Sequence, residues 1–216
     1  MGHNARVSTW AIVVAAGGGT RFGAPKQFAR LGGATVVDRS IATAGRIVDQ
    51  VVVVVPAASD WSPPDGVLTA QGGATRSESV RAGLAQVPDD VSIIVVHDAA
   101  RPFASVLLYR AVIDAVRAGA DAAVPGLPVT DTLKRVAGER VVDTIERAGV
   151  VAVQTPQAFR APALRRAHDP SAESTDDAAL IEAAGGTVVV VPGEAGNLKI
   201  TVPADLETAA SLLEFT

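Results

Sequence analysis

Short apolar runs alternate along the chain with segments in which apolar residues recur at the spacing of an α-helix. The runs are uninterrupted and rich in valine and isoleucine, which is typical of strands covered on both faces, as in a parallel sheet. The predicted strands are Ala11–Val14, Val51–Val55, Ile93–Val96, Ala122–Val124 and Val188–Val191. The predicted helices are Val36–Ala44, Ser77–Leu84, Val106–Ala118, Asp176–Ala184 and Ala204–Leu213. This alternation indicates an α/β fold with a doubly wound, mostly parallel, Rossmann-like sheet.

One segment breaks the alternation. Between Thr130 and Val153 apolar residues are mixed with charged ones, and Ala137-Gly138 marks a turn. The pattern predicts a β-hairpin that belongs to no β-α-β unit. The residues alone leave open whether this hairpin is a surface excursion or a functional arm. Because no repeat or interdomain linker is visible, we expect a single domain over residues 1–216 with an arm at about 130–153 inserted.

Composition excludes several classes of protein. The 216 residues carry a net charge of −4 with the two signs interspersed, which argues against a nucleic-acid binder but not against an anionic small molecule. The absence of cysteine excludes a disulfide framework, a thiolate nucleophile and a cysteine–zinc site. No apolar run approaches the roughly 20 residues that span a bilayer, and the first residues lack the apolar core of a signal peptide. We therefore expect a cytoplasmic protein without a membrane segment.

A glycine-rich loop, AAGGGTRFGAPKQ, follows the first predicted strand at residues 15–27. Loops at the carboxyl ends of parallel strands are the usual ligand sites of α/β sheets. Three successive glycines, Gly17, Gly18 and Gly19, let backbone N–H groups approach a phosphate chain closely. A Walker A loop is excluded because Ala24 stands where lysine is required, and a dinucleotide fingerprint because Phe22 stands at the sixth position of GxGxxG.

Two cations accompany this loop. Arg21 and Lys26 lie five residues apart beside the glycines. Fixed cations next to such a backbone nest suit a polyphosphate and the charge that develops on phosphorus during transfer. The alternative interpretation is a tight turn that carries two solvated cations.

Other polar residues also follow predicted strands or begin predicted helices. Gly73 precedes a helix start that contains Arg76 and Ser79, where the glycine amides and the Ser79 hydroxyl could meet a base or a ribose, or serve only as a turn and cap. Asp98 ends a buried strand, where its carboxylate would suit Mg²⁺ or a substrate hydroxyl. We expect His97 to be structural, and Arg101 either to face a ligand or to pair with Asp98.

The C-terminal half supplies three further loop motifs. Thr155-Pro156-Gln157 is expected to end a strand, and Ser174-Thr175-Asp176-Asp177 to open a helix. Lys199 is predicted in a short apolar strand, an expensive place for a cation unless it faces a polar site. Each of these motifs could by itself be only a cap or a turn.

Taken together, the motifs resemble those of the 2-C-methyl-D-erythritol 4-phosphate cytidylyltransferase family of the non-mevalonate isoprenoid pathway. The resemblance runs in order over nearly the whole chain: AAGGGTRFGAPKQF, GGATRSESV, HDAARP, DTLKR, TPQAF, STDDAA and GNLKITVPADL. It implies the nucleotidyltransferase fold and a transferase that joins CTP and 2-C-methyl-D-erythritol 4-phosphate. The products would be 4-diphosphocytidyl-2-C-methyl-D-erythritol and pyrophosphate, with Mg²⁺ or another divalent cation as cofactor.

The resemblance also implies a role for each site residue. Catalytic roles fall to Arg21, Lys26, Arg147 and Lys199. Nucleotide contacts fall to Ala15, Ala16, Gly17, Gly18, Gly19, Gly73, Arg76 and Ser79. Acceptor contacts fall to Asp98, Arg101, Thr132, Arg147, Thr155, Thr175 and Lys199, with Asp98 also a metal ligand that acts mainly through the CTP phosphates. The arm would be exchanged in a homodimer, so that Thr132 and Arg147 reach the partner's site.

Elementary chemistry is compatible with this assignment. A phosphate oxygen is already anionic at neutral pH, so the nucleophile needs cations and alignment rather than a general base. Two positions depart from the family pattern, Gly196 and Ala74, and affect only details of metal or nucleotide contact. Two alternatives stay open: a cytidylyltransferase for ribitol 5-phosphate or another alditol phosphate, and a non-catalytic nucleotide-binding module.

Overall fold

The computed structural model describes residues 7–213. Along the chain the strands are β1 (Thr9–Val14), β2 (Arg30–Leu31), β3 (Ala34–Thr35), β4 (Gln50–Val55), β5 (Leu68–Gln71), β6 (Ile93–Asp98), β7 (Ala122–Pro128), β8 (Leu133–Ala137), β9 (Arg140–Ile145), β10 (Val151–Val153), β11 (Gln157–Arg160) and β12 (Val188–Pro192). The helices are α1 (Val36–Ala44), α2 (Arg76–Leu84), α3 (Val106–Arg117), α4 (Ala161–Ala167), α5 (Asp177–Ala183) and α6 (Pro203–Leu213). A short 3-10 turn, Lys26–Phe28, follows the glycine loop.

Eight strands form one mixed sheet in the order β10-β7-β11-β6-β1-β4-β5, with β12 paired to β7. Strands β6, β1, β4 and β5 are mutually parallel, and β12 runs parallel to β7, whereas β10 and β11 are antiparallel to their neighbours. The predicted fold class, a mostly parallel α/β sheet, is therefore confirmed. The ends 1–6 and 214–216 of the predicted domain lie outside the described residues.

Helices cover both faces of the sheet, which explains the uninterrupted valine runs. Successive residues of β1 point to opposite faces, so Ala11 packs into one apolar layer and Ile12 into the other. The first layer is completed by α1 and α3, and the second by α2, α4 and α5. Because both layers are apolar, the strands show no alternation of polar and apolar residues.

All five predicted strands and all five predicted helices are present, with small shifts at their ends. The hairpin prediction was wrong in extent. Only β8 and β9 pair with each other, whereas β10 joins the main sheet through the pairing of Val151 with Pro128. The predicted strand around Lys199 is also wrong, because the Ile200 amide donates to the Ala100 carbonyl in a loop contact and no ladder forms. Within residues 7–213 no helix is long and apolar enough to cross a membrane.

Candidate active site

A cleft of about 260 Å³ opens at the carboxyl edge of the sheet. The ends of β1 and β6, the glycine loop after β1 and the first turn of α2 form its walls. Parallel strands that end side by side, here Val14 beside Asp98, bring their following loops to one place. The residues lining this first cleft include Ala15, Ala16, Gly17, Gly18, Lys26, Gly73, Arg76, Ser79, Asp98 and Lys199.

A buried glutamine holds the glycine loop. The Gln27 side chain is 3% exposed, and its Nε2 donates to the Ala15 carbonyl at 2.7 Å and to the Gly17 carbonyl at 3.1 Å. Gly19 adopts a φ of 65°, which a side chain rarely tolerates, and its carbonyl accepts the amides of Phe22 and Gly23 at 2.9 Å. The loop is thus folded back on itself, with Gly17 and Gly18 exposed toward the cleft.

The opposite wall is the start of α2. Thr75 caps this helix, and Glu78 completes a capping box by accepting the Thr75 amide. Gly72 lies so close to Ala16 and Ser79 that a β-carbon would collide with the Ala16 side chain. The Ser79 hydroxyl donates to the Thr75 carbonyl at 2.9 Å, so its lone pairs remain for a ligand.

A chain of alternating charges crosses the floor of the cleft. Asp98 contacts the Arg76 Nε through Oδ1 at 3.3 Å and the Lys199 Nζ through Oδ2 at 2.7 Å. Arg76 also forms an ion pair with the fully buried Asp177, between Nη1 and Oδ2 at 2.7 Å. The other oxygen of Asp177 lies 3.0 Å from Nε2 of the buried His168. Arg76, which we expected to bind nucleotide, therefore bridges two carboxylates.

These contacts keep the floor ionised. Burial alone would raise the pKa of Asp98, but the charges of Arg76 and Lys199 hold it well below its usual range. Burial alone would lower the pKa of Arg76, and Asp177 and Asp98 together raise it instead. Both groups remain charged at neutral pH.

The cations beside the glycine loop are less well compensated. Burial lowers the pKa of Lys26, and the positive charges of Lys199 and Arg21 lower it further, although Asp98 and Asp205 act in the opposite direction. A lowered lysine pKa means that its surroundings disfavour the positive charge. A polyphosphate placed among these three cations would supply the missing negative charge.

A second cleft, of about 190 Å³, adjoins the first. The two share Arg76, Asp98 and Lys199, so the Asp98–Lys199 ion pair lies between them. The second cleft is also lined by Arg101, Val153, Gln154, Thr155, Gln157, Thr175 and Asp176. Two adjacent pockets that meet at a charged pair are suited to two substrates that react with each other.

Buried amides fix the wall that carries Lys199. Gln154 accepts the Glu194 amide at 3.0 Å and donates to the Glu194 carbonyl at 2.9 Å. The side-chain amide of Asn197 donates to the Thr155 carbonyl at 2.9 Å, and the backbone carbonyl of Asn197 accepts a hydrogen bond from Nη1 of Arg101 at 2.9 Å. Arg101 therefore anchors the loop before Lys199, and among the described residues Asp98 takes its ion pairs from Arg76 and Lys199 instead.

Most predicted site residues lie around the two clefts, but four do not line either. Gly19 is the hinge of the glycine loop, and the exposed Arg21 acts on the cleft through its charge on Lys26. Thr132 and Arg147 lie exposed on the arm, and Arg147 donates to the Thr130 carbonyl in a separate hollow at the base of the arm. Their predicted roles toward a partner's site stay predictions.

The described residues do not form a resident metal site. No group of three His, Cys, Asp or Glu side chains within residues 7–213 is placed to hold a metal ion. Both oxygens of Asp98 are in contact with cations, Arg76 at Oδ1 and Lys199 at Oδ2, and these positive charges would oppose a metal ion at the remaining lone pairs. A divalent cation would have to bring most of its ligands with it.

Sequence reasoning missed the buried polar residues that position the site: Gln27, Gln154, Asp177 and Asn197. Gln27 stands next to the predicted Lys26, and Asp177 follows the predicted Thr175 closely, so both were inside noticed motifs. Their burial, which marks them as positioning residues, depends on tertiary contacts that no local pattern contains.

Comparison with known proteins agrees with the geometry. The family model described as IspD, 2-C-methyl-D-erythritol 4-phosphate cytidylyltransferase, matches residues 9–215, which confirms the resemblance of the motifs. The chain is 46% identical to the bifunctional enzyme IspD/IspF of Clavibacter michiganensis over 94% of this chain and 53% of that protein. It is 42% identical to the 2-C-methyl-D-erythritol 4-phosphate cytidylyltransferase of Streptomyces coelicolor over 95% of this chain and 84% of that one.

Solved structures are similar over nearly the same length. The crystal structure of the cytidylyltransferase from Thermus thermophilus is 37% identical, with a TM-score of 0.82, over 94% of this chain and 98% of that one. A crystal structure of a 4-diphosphocytidyl-2C-methyl-D-erythritol synthase has a TM-score of 0.85 at 32% identity, over 96% of this chain and 99% of that one. The chain spans little more than half the length of the bifunctional relatives that it matches.

Proposed function

The chain belongs to the 2-C-methyl-D-erythritol 4-phosphate cytidylyltransferase family, and from this premise we propose that it joins CTP and 2-C-methyl-D-erythritol 4-phosphate. The products are 4-diphosphocytidyl-2-C-methyl-D-erythritol and pyrophosphate. The observation that carries the proposal is the pair of adjoining clefts that meet at Asp98 and Lys199, with Lys26 beside the glycine loop. A cytoplasmic location stays a prediction from the sequence.

The reaction needs alignment and charge neutralisation. An oxygen of the acceptor phosphate attacks the α-phosphorus of CTP and forms the new P–O bond. The bond from the α-phosphorus to the α–β bridging oxygen breaks, and its electron pair leaves with pyrophosphate. Lys26, Arg21 and Lys199 neutralise the two anions as they approach, and they stabilise the charge on the equatorial oxygens of the five-coordinate phosphorus. Because the nucleophile is already anionic, no side chain has to remove a proton.

The two clefts divide recognition between the substrates. In the first cleft the exposed amides of Gly17 and Gly18 receive the phosphates, while Gly73 and Ser79 face the cytidine. In the second cleft the acceptor lies against Asp98, Thr155 and Thr175. Asp98 is held ionised by Arg76 and Lys199, so it accepts hydrogen bonds from acceptor hydroxyls and repels a misplaced phosphate.

A divalent cation would reach the site bound to the nucleotide. CTP would bind as its Mg²⁺ complex, in which the phosphates would supply the ligands that the described side chains do not. Such an ion would neutralise phosphate charge in addition to the protein's cations. Asp98 would stay in its ion pairs with Arg76 and Lys199 rather than bind the metal directly.

The arm is proposed to complete the site of a second subunit. Its strands β8 and β9 stand outside the main sheet, and they expose Val136, Val141 and Val142 by 54–60%. Arg147 and Thr132 lie at the base of this arm and line neither cleft of their own chain. An isologous dimer would place them over the partner's acceptor cleft, where Arg147 could bind the acceptor phosphate through two hydrogen bonds.

Subunit exchange tests the shared site. Lys26→Ala and Arg147→Ala are each expected to be inactive alone. In a mixed dimer one site contains both substitutions and the other site contains neither. Random exchange makes about half of the dimers mixed, and half of their sites are intact, so about a quarter of wild-type activity should return. No recovery, with exchange verified by mass spectrometry of differently tagged subunits, would contradict the shared site and leave the arm a surface excursion.

Pyrophosphate release with several acceptors tests the function itself. We expect release only when CTP and 2-C-methyl-D-erythritol 4-phosphate are both present. A preference for ribitol 5-phosphate would support the alternative alditol substrate. Binding of CTP by titration calorimetry with no release for any acceptor would show a nucleotide-binding module and contradict the proposal.

A further inference from the structure

His97 is a buried titratable residue that the proposed mechanism does not use. Its side chain is fully buried at the end of β6, next to Asp98, with its ring 5.5 Å from the ring of the equally buried Tyr109. Complete burial disfavours the charged imidazolium, and the ring nitrogens contact a backbone carbonyl and a hydroxyl rather than a carboxylate, so the imidazole is neutral. A neutral imidazole has one nitrogen that donates and one that accepts.

The neighbours decide which nitrogen carries the proton. Nε2 lies 3.1 Å from the backbone carbonyl of Arg101, and a carbonyl oxygen can only accept. The proton therefore belongs on Nε2, and Nδ1 keeps its lone pair. Nδ1 lies 3.2 Å from Oγ1 of Thr155, so the Thr155 hydroxyl donates its hydrogen to His97.

The Thr155 hydroxyl has a second contact. The backbone amide of Asp98 donates to Thr155 Oγ1 at 3.0 Å. The hydroxyl has one hydrogen and two lone pairs. His97 takes the hydrogen and the backbone amide of Asp98 occupies one lone pair, which leaves one lone pair on a residue that lines the second cleft.

We propose that His97 is a positioning residue that makes Thr155 an acceptor-only contact for a hydroxyl group of the polyol phosphate. The inference rests on the proposed function, because it assigns the second cleft to the acceptor. A substrate hydroxyl can donate to Thr155, whereas an ionised phosphate cannot. His97 and Thr155 thus orient the acceptor with its polyol end at Thr155 and its phosphate toward the cations near Lys199.

The tautomer can be measured without substrate. Two-bond ¹H–¹⁵N correlation spectra of the uniformly ¹⁵N-labelled protein distinguish a protonated imidazole nitrogen from an unprotonated one. His97→Phe assigns the signals of His97. We expect Nε2–H with an unprotonated Nδ1. An Nδ1–H tautomer would leave the Thr155 hydrogen free to point into the cleft and would overturn the inference.

Substrate analogues measure the direction of the Thr155 contact. In each analogue one hydroxyl of the acceptor is replaced by hydrogen or by fluorine, which cannot donate a hydrogen bond. For the hydroxyl that contacts Thr155, we expect both replacements to raise KM for the acceptor roughly tenfold and to leave KM for CTP unchanged. Full tolerance of fluorine at every position would mean that no substrate hydroxyl donates to Thr155, and would contradict the inference.

Two variants separate this role from simple structural support. Thr155→Val should raise KM for the normal acceptor but add no further loss for the matching deoxy analogue, whereas Thr155→Ser keeps the hydroxyl and should keep most affinity. His97→Phe frees the Thr155 hydrogen, so the fluoro analogue should improve relative to the deoxy analogue. Equal losses of Thr155→Val on all acceptors would refute the contact. Absence of any cytidylyl transfer by the wild type would refute the proposed function instead, while the tautomer measurement would still stand.

Discussion

Gln27 offers the sharpest test of how the glycine loop is built. We expect the substitution Gln27→Met to preserve the length of the side chain and to remove both donated hydrogen bonds. In the wild type, Nε2 of Gln27 donates to the Ala15 carbonyl at 2.7 Å and to the Gly17 carbonyl at 3.1 Å, and the side chain is almost completely buried. Methionine cannot donate to either carbonyl.

The size of the effect follows from these two bonds. A buried neutral hydrogen bond contributes about 1 kcal/mol net, so the loss for the folded loop is about 2 kcal/mol. If the whole loss appears as opening of the loop in the free protein, the dissociation constant for CTP rises by up to about 30-fold. The effect concerns the phosphate-binding loop, so the dissociation constant of the acceptor alone should change little.

The assay is titration calorimetry with CTP and Mg²⁺, combined with thermal unfolding. Gln86→Met, at an exposed position beyond the end of α2, is the matched control and should bind CTP normally. An unchanged dissociation constant in Gln27→Met, with a normal unfolding temperature, would show that the loop does not depend on Gln27. The two hydrogen bonds of Gln27 would then have no part in holding the phosphate-binding loop in place.

Four further outcomes are expected. Arg21→Ala and Lys26→Ala should each lower kcat by roughly 10²–10³ while the unfolding temperature barely moves, and an unchanged kcat would remove that residue from the mechanism. Because burial lowers the pKa of Lys26, kcat/KM for CTP should begin to fall at an alkaline pH that lies below the pKa of an ordinary lysine. In Lys26→Arg this fall should move to higher pH, since arginine keeps its charge. A pH profile that does not move would assign the fall to another group. The pKa of His97, about 4 in the folded protein, lies below that of an exposed imidazole, so the unfolded chain binds the proton first. As the pH drops from roughly 6.5 to about 4, stability should therefore fall by about 3 kcal/mol more in the wild type than in His97→Phe, and equal falls in chemical unfolding of the two proteins would contradict this. Excess chelator should abolish turnover and Mg²⁺ should restore it, whereas full turnover in chelator would contradict binding of CTP as a metal complex.

Local signals predicted the elements well where they were complete. Helix α1 appears at its predicted bounds, Val36–Ala44, because Thr35 and Asp38 form a capping box at its start and Gly45 follows its end. The buried strands were also predicted, because a run such as Val51–Val55 contains only β-branched apolar residues, which favour a strand over a loop.

Tertiary pairing decided the elements that were missed. Strand β10 has only three residues, Val151–Val153, and only its ladder with β7 shows that it belongs to the main sheet and not to the β8–β9 hairpin. Lys199 lies in a segment that pattern alone assigns to a strand, although its backbone pairs with loop residues. Strand β11 has only four residues, and its partners β6 and β7 are distant in sequence.

The functional site was also predictable only in part. Glycines and cations at the ends of strands, such as Gly17 and Lys26, could be found because sheet geometry collects these ends at one edge. The double ion pair of Arg76 and the hydrogen bond between His97 and Thr155 could not, because each depends on side-chain directions across different elements.

Isotope transfer tests the central claim most directly. The acceptor, 2-C-methyl-D-erythritol 4-phosphate, is prepared with ¹⁸O in the non-bridging oxygens of its phosphate and incubated with CTP, Mg²⁺ and the protein. Attack of an acceptor oxygen on the α-phosphorus predicts that all of the label remains in the CDP-alcohol, with one ¹⁸O in the new diphosphate bridge, and that the released pyrophosphate is unlabelled. Label in the pyrophosphate, or no CDP-alcohol at all, would contradict the account.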